Sequence, residues 1–234
     1  MHRITWPAIA DRFGMNDFMT IDPARTALIV IDMQLGFLEP GFPGYGPHAI
    51  DIVPNINMLA AALRAAGGTV VFTRHTVYSD PDRAPPRWQI ERPEFTGYFD
   101  SLRENAPGHP LHASLDIQSA DLLLDKVWYS AFLPHSSTLD ADLKARGIDT
   151  VIITGVVTNI CCESSARDAH MMGYRVFVIA DANAAATDDA HNASLATLGL
   201  VFADVRLTEE MLPLITAPGC RPRDMMQRAG ADVA

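Results

Sequence analysis

Apolar runs of strand length alternate with amphipathic runs of helix length along most of this chain, and this alternation constrains the fold more than any other feature. Residues 26–32, 69–73 and 150–155 are almost continuously apolar, as strands are when both faces of a parallel sheet are covered. Residues 50–66 place apolar side chains on one helical face and stop at a pair of glycines. The pattern predicts an α/β fold with helices on both faces of a mostly parallel sheet.

The same alternation continues through the rest of the chain. We predict further strands over 122–126, 174–180 and 201–205, and further helices over 137–146, 159–172 and 188–198. A chain of 234 residues is within reach of one domain with a single core. The sequence therefore predicts a single domain.

Three segments lie outside the alternation. Residues 1–25 are expected to form an N-terminal arm that packs on a neighbouring subunit, and residues 216–234 a C-terminal tail, around a domain spanning 26–215. Residues 79–118 are rich in proline, arginine and aromatic residues and show no clear period. A connection that long within one domain is typical of a functional segment, so we expect a lid or a subunit contact there.

The overall composition argues against several classes of partner. The formal net charge is −10, and an acidic surface repels phosphate backbones, so we expect no nucleic acid as a partner. No apolar run approaches the ~20 residues that cross a bilayer, and the first residues do not resemble a secretory signal, so we expect no membrane association. The chain has three cysteines, a small and odd number that argues against a disulfide scaffold. This cysteine content favours a reducing compartment, so we expect a cytoplasmic location.

Three chemically reactive side chains fall where predicted strands end. Asp32 closes the first strand, Lys126 closes the third, and Cys161 follows Gly155 at the turn into a helix. Ligands of open parallel sheets lie beyond the carboxyl ends of the strands. Each residue alone also has a structural interpretation, as a loop cap, a surface lysine and a buried structural cysteine.

Cys161 lies near the expected N-terminus of a helix. Unpaired N–H groups there carry partial positive charge, which would lower the pKa of the thiol and could hold an oxyanion. The adjacent Cys162 also permits a redox interpretation, although the spacing is not that of dithiol oxidoreductases.

Two histidines near these positions are not accompanied by a metal-binding pattern. His75 follows the second strand and His191 lies in a predicted helix, without an HxH, HExxH or CxxC motif near either. We therefore expect both to make ordinary hydrogen bonds, and we expect no metal site.

Four separated stretches together resemble the isochorismatase-like cysteine hydrolase family. The four stretches are residues 30–34 with Phe37; Asp125-Lys126 with residues 129–132; residues 155–169; and residues 181–184 with Thr187, His191 and Asn192. Residues 155–169 are the most specific of the four. The shared order and spacing of the stretches make a chance match improbable.

The resemblance implies a doubly wound three-layer α/β/α fold, similar to a Rossmann fold, and a homo-oligomer, a dimer or a tetramer. It implies a catalytic triad of Asp32, Lys126 and Cys161, a cis peptide between Val156 and Val157, and an oxyanion hole built from the N–H groups of Val157 and Cys161. No cofactor is required in such a mechanism. The resemblance thus implies that the chain cleaves a C–N bond of a small amide or ureide through a thioester intermediate.

Differences between this chain and particular branches of the family indicate which reaction to expect. True isochorismatases, which act on a vinyl ether, commonly lack the cysteine that is present here. Nicotinamidases carry an Asp/His metal cluster after the second strand, where this chain has His75 alone. The motifs most resemble the ureidoacrylate amidohydrolase branch, with N-carbamoyl amidohydrolases as relatives. Vinyl-ether or other non-amide hydrolysis, and a non-catalytic binding or redox role, remain alternatives.

Substrate contacts are expected from residues in or beside these motifs and from the segment 79–118. For the aromatic residues, and for Phe132 in particular, packing in the core is an equally open alternative. The predicted substrate-binding residues are Gln34, Phe37, His75, Arg87, Trp88, Trp128, Tyr129, Phe132 and Asn159.

Overall fold

A single sheet of six parallel strands organises the chain. In the computed structural model, residues 1–5, 16–84 and 87–217 are described. The strands lie in the order β3-β2-β1-β4-β5-β6, so the chain order reverses between β1 and β4. This arrangement confirms the predicted doubly wound α/β fold. The strands are β1 (Thr26–Ile31), β2 (Thr69–His75), β3 (Leu122–Lys126), β4 (Thr150–Val156), β5 (Arg175–Ala184) and β6 (Asp204–Arg206).

Helices cover both faces of the sheet. They are α1 (Leu35–Leu38), α2 (Val53–Ala65), α3 (Arg87–Ile90), α4 (Thr96–Ser101), α5 (Leu139–Ala145), α6 (Glu163–Met171), α7 (Asp188–Thr197) and α8 (Thr208–Thr216). Helices α2 and α8 contribute to one hydrophobic core, and α5, α6 and α7 contribute to the other. Successive side chains of a strand point to opposite faces, so Leu28 joins the first core and Ile29 the second.

The C-terminal third differs from the sequence prediction at two places. Helix α7 continues into a π-helical turn, Leu198–Phe202, so the last strand begins at Asp204 rather than at residue 201. Helix α8 was not predicted; its start is capped by the Glu210 side chain, which accepts a hydrogen bond of 2.8 Å from the Leu207 N–H. It contains Pro213, a residue that disfavours helix interiors.

The segments outside the alternation have few regular elements. Helices α3 and α4 are short, and both lie within 79–118. Near the start of the chain, His2 bonds to Ala185 of the same chain, and the Phe18 N–H donates to Asp204. Most of the predicted C-terminal tail, from residue 218, lies outside the described residues, as do residues 6–15 of the predicted arm. Among the described helices, none has the length and apolar character that spanning a membrane requires.

Candidate active site

Asp32, Lys126 and Cys161 meet at the carboxyl ends of the strands. Asp32 follows β1, and Cys161 follows β4, the two strands between which the chain order reverses. Lys126 extends from β3 across the end of β2, so that its Nζ lies 2.7 Å from Asp32 Oδ2 and 3.6 Å from Cys161 Sγ. The Nζ also donates to the Trp128 carbonyl at 3.0 Å. All three side chains are buried, so the cation lies between a carboxylate and a thiol away from bulk water.

The backbone at Asp32 turns sharply out of β1. Its φ of 53° lies in the left-handed region, which non-glycine residues seldom occupy and which Asp tolerates better than most. Thr73 holds this turn from β2, because its carbonyl accepts the Asp32 N–H at 3.1 Å and its hydroxyl donates to Asp32 Oδ1 at 2.9 Å. The carboxylate is therefore fixed on one oxygen by Thr73 and on the other by Lys126.

Gly155 permits the close approach of β4 to β1. Its φ is +111°, and a Cβ at this position would lie 2.1 Å from the Ile31 carbonyl oxygen. The next peptide bond, between Val156 and Val157, is cis. Beyond it, a π-helical turn, Thr158–Cys162, runs directly into α6 and carries the thiol.

The titration of the three groups is set first by burial. Burial raises the pKa of the Cys161 thiol to about 12, although the Lys126 ammonium opposes the shift. Burial likewise raises the pKa of Asp32, again against Lys126. For Lys126 itself burial lowers the pKa, but the interactions with Asp32 and Cys161 outweigh burial and raise the pKa. The expectation that the helix N-terminus lowers the thiol pKa is therefore wrong for the resting site, because desolvation dominates.

A cleft of about 470 Å³ opens beside these residues. Its walls are mainly aromatic and aliphatic, with Gln89 and Arg92 as polar members, and Arg92 Nε pairs with Glu94 at 2.9 Å. Tyr98 and Tyr129 line the cleft and also lie near the thiol. Burial is the largest cause that raises the pKa of each tyrosine, and the interaction with Cys161 is the second. The cleft is lined by Phe37, Gly44, Trp88, Gln89, Arg92, Phe95, Tyr98, Phe99, Tyr129, Val157 and Ile160.

Several predicted substrate-binding residues line this cleft, and others lie elsewhere. Phe37, Trp88 and Tyr129 are in its wall. Trp128 lines a separate depression with Leu133 and His135. The backbone of Arg87 begins α3, and its side chain lies outside the described part of the chain.

Three other predicted substrate contacts are not among the residues that line the cleft. Phe132 is buried in the core, 5.5 Å from the Tyr174 ring, so the core alternative is the one observed. Gln34 is fully buried, and its amide joins the His75 backbone to the His109 carbonyl. Asn159 is exposed on the π-helical turn. Gln34 thus supports the local backbone, and Phe132 supports the core.

Some cleft residues were not predicted. Gln89, Arg92 and Phe95 come from the segment 79–118, whose sequence shows no period by which a face could be assigned. Ile160 lies beside Cys161 in the motif, and its exposure could not be inferred from an apolar residue in a predicted helix.

His75 contradicts the expectation of an ordinary hydrogen bond. Its ring is 1% exposed, and neither nitrogen has a hydrogen-bond partner among the described residues. Burial, and then the positive charge of Lys126, hold the pKa of His75 well below its ordinary value. His191, in contrast, makes the expected kind of bond, 2.9 Å from its Nδ1 to Thr158 Oγ1.

Two groups of side chains have the spacing of metal ligands. The ligand atoms of Asp32, His75 and Cys161 lie within 4.8 Å of one another, as do those of His2, His48 and Asp188. In the first group the Lys126 ammonium already pairs with Asp32, so a metal ion would have to compete with a fixed positive charge. In the second group, His2 already bonds to Asp188 at 2.6 Å and to Ala185.

Comparisons with known proteins identify a family and several hydrolases that this chain resembles. The family model for the isochorismatase domain matches residues 26–210. The ureidoacrylate amidohydrolase RutB of Pseudomonas savastanoi pv. phaseolicola is 30% identical over 219 residues, 86% of this chain and 88% of that protein. A cysteine hydrolase structure from Pseudomonas syringae pv. phaseolicola is 35% identical, with a TM-score of 0.77 over 86% of this chain and 98% of that one. N-carbamoylsarcosine amidase from Thermoplasma acidophilum is 26% identical, with a TM-score of 0.64 over 79% and 97%.

Proposed function

The chain belongs to the isochorismatase family of hydrolases, and on this premise we propose that it is an amidohydrolase that uses Cys161 as its nucleophile. It cleaves a C–N bond of a small amide, ureide or carbamoyl compound through a thioester. The observation that carries the proposal is the buried contact of one ammonium, Lys126, with both the Asp32 carboxylate and the Cys161 thiol. A nucleophile, a base and a group that steadies the base are the parts that covalent hydrolysis requires.

In the first step, Asp32 accepts the thiol proton as the sulfur attacks the carbonyl carbon. Because burial raises the pKa of Cys161 to about 12, the resting sulfur is a thiol, and its proton leaves as the C–S bond forms. Lys126 compensates the negative charge throughout.

The tetrahedral intermediate then collapses. The N–H groups of Val157 and Cys161 are proposed to hold the oxyanion, where the chain turns from β4 into the π-helical turn. Protonated Asp32 gives its proton to the leaving nitrogen, the C–N bond breaks, and ammonia or an amine departs. Asp32 next takes a proton from water, which attacks the thioester and releases the acid and the thiol.

The named relatives support an amide or ureide rather than a vinyl ether. RutB is named for the hydrolysis of ureidoacrylate, and N-carbamoylsarcosine amidase for a carbamoyl substrate. The aromatic and aliphatic walls of the cleft suit a substrate with an apolar part beside the scissile group.

A screen for ammonia release tests the proposal directly. The panel contains ureides, carbamoyl amino acids and short primary amides, and quenched reactions are examined by intact mass for an acyl adduct. We expect ammonia release with at least one class and an adduct that maps to Cys161. A protein that releases no ammonia and forms no adduct would contradict the proposal.

The neighbouring cysteine provides a matched control. Cys162 is also buried, but its Sγ lies 4.0 Å from the Thr154 carbonyl in the interior. We predict that Cys161→Ala abolishes turnover, because the nucleophile is lost, whereas Cys162→Ala retains most of it. The opposite pattern in the same assay would reassign the nucleophile.

A further inference from the structure

His75 is a buried polar side chain beside Asp32 and Cys161, both of which contact Lys126. Its ring nitrogens have no hydrogen-bond partner in the described part of the chain, and the ring is 1% exposed. The buried neighbour His109 differs, because its Nε2 lies 2.8 Å from Thr76 Oγ1. A buried donor or acceptor left unpaired destabilises the folded state. The ring therefore fits a partner that arrives from outside the chain.

The position of the His75 ring limits which atoms could be its hydrogen-bond partner. His75 ends β2, the strand between β1 and β3, and a ring nitrogen lies within 4.8 Å of the ligand atoms of both Asp32 and Cys161. A single heavy atom above the centre of three atoms so spaced is about 3 Å from each, which is hydrogen-bond distance. In the proposed reaction, the atom that must lie near both the thiol sulfur and Asp32 is the leaving nitrogen, and later the oxygen of water.

The protonation state of His75 suits both atoms. Burial and the Lys126 charge keep the ring neutral near neutral pH, so it offers one acceptor and one donor. A leaving amide nitrogen and a water molecule both carry N–H or O–H groups to give. A charged imidazolium would have no acceptor for them.

From this placement we propose that His75 accepts a hydrogen bond from the leaving nitrogen of the substrate, and then from the water that hydrolyses the thioester. The inference rests on the proposed amidohydrolase reaction and adds a substrate-contacting residue to it. In the second half, water gives one proton to Asp32 and holds the other toward His75 as its oxygen bonds to the thioester carbon. The C–S bond then breaks, and the sulfur recovers its proton from Asp32.

The two halves of the reaction depend on His75 to different degrees. The leaving nitrogen is held by the rest of the substrate, which occupies the cleft and the proposed oxyanion hole. A water molecule has no such tether, and Asp32 alone would leave it free to rotate. Loss of His75 should therefore slow deacylation more than acylation.

p-Nitrophenyl acetate separates the two halves without knowledge of the natural substrate. Its acylation step releases p-nitrophenolate and needs no protonated nitrogen, so a burst reports acylation and the following steady rate reports deacylation. For His75→Leu we expect a burst of parental amplitude, a steady rate lower by about tenfold or more, and an acetyl adduct on Cys161 by intact mass. His75→Asn, which keeps a neutral acceptor, should recover part of the steady rate.

The same substitution at the neighbouring histidine is the control. His109→Leu removes a ring that is paired to Thr76, so it should lower the melting temperature and leave the ratio of burst to steady rate as in the parent. His75→Leu should raise the melting temperature, because an unpaired polar group is replaced by an apolar one.

The possible failures are distinguishable. A parent enzyme that is never acetylated on Cys161 would contradict the proposed function itself. A parent that is acetylated, together with a His75→Leu variant that deacylates at the parental rate, would overturn only the role of His75. A His75→Leu variant that is destabilised, with an unchanged ratio of burst to steady rate, would make His75 a structural residue.

Discussion

At the scale of single residues, the site depends on charges that compensate one another where bulk water is excluded. Burial raises the pKa of both Asp32 and Cys161, and the Asp32 carboxylate raises the pKa of the Cys161 thiol further. The Lys126 ammonium is 0% exposed and touches both. Its compact charge on a flexible stem fits between a carboxylate oxygen and a sulfur, which the planar fork of arginine would not.

We predict that Lys126→Arg fails nearly as badly as Lys126→Ala, each lowering kcat by roughly a hundredfold or more. Both variants should also slow alkylation of Cys161 by iodoacetamide at about pH 7, because the compensating charge is lost or displaced and the thiolate becomes rarer. Circular dichroism checks that the proteins are folded. Full turnover and parental alkylation of a folded Lys126→Ala protein would remove Lys126 from the mechanism.

At the scale of elements, short helices from an irregular segment form the wall of the cleft. Helix α3 has four residues, and its Trp88 side chain is 71% exposed while still lining the cleft. The Gln89 amide donates to the Tyr129 hydroxyl and so ties α3 to the loop after β3. A wall built in this way can vary in sequence without disturbing the sheet.

For Trp88→Ala we therefore predict a higher KM for the best substrate of the ammonia screen, with the free energy of unfolding changed by no more than about 0.5 kcal/mol. Met171→Ala is the matched control, because Met171 is 69% exposed at the end of α6. It should leave both quantities unchanged. An unfolding defect in Trp88→Ala with an unchanged KM would place this side chain in a structural role.

The sequence predicted the sheet and the three reactive positions better than it predicted the cleft. Buried strands such as β1 and β4 are almost continuously apolar, so the sequence predicts them well. Asp32 follows β1 and Lys126 ends β3, and the carboxyl ends of parallel strands lie at the same edge of the sheet. Phe132 and Ile160 show the limit, because an apolar residue near a motif packs inward or outward according to tertiary neighbours. The resting pKa of Cys161 likewise depends on burial, which no local pattern encodes.

At the scale of the whole molecule, buried histidines couple stability to pH. Burial lowers the pKa of His191 to about 4, and it lowers those of His75 and His109 as well. The unfolded chain binds protons on these rings below about pH 6.5, while the folded chain does not, so stability falls as the pH falls. Asp32, whose pKa is raised, acts in the opposite direction.

We predict that His191 alone makes the protein about 2 kcal/mol less stable at about pH 5 than at about pH 7. Urea unfolding at both values measures the difference for the parent and for His191→Gln, which does not titrate. The variant should lose about that much of the pH dependence, even if it is less stable at both values. An identical slope for the two proteins would show that His191 is not the group responsible.

The separation of the three reactive residues along the chain also bears on how the protein acquires activity. Lys126 and Cys161 are 35 residues apart, and Asp32 is held by Thr73 from 41 residues away. Contacts this distant in sequence form late, after the cost of closing long loops has been met. A partly synthesised or partly refolded chain thus carries an exposed thiol with an ordinary pKa and without its partners Asp32 and Lys126, and hydrolysis begins only when the central strands have assembled. Turnover is in this sense a kinetic marker for completion of the fold.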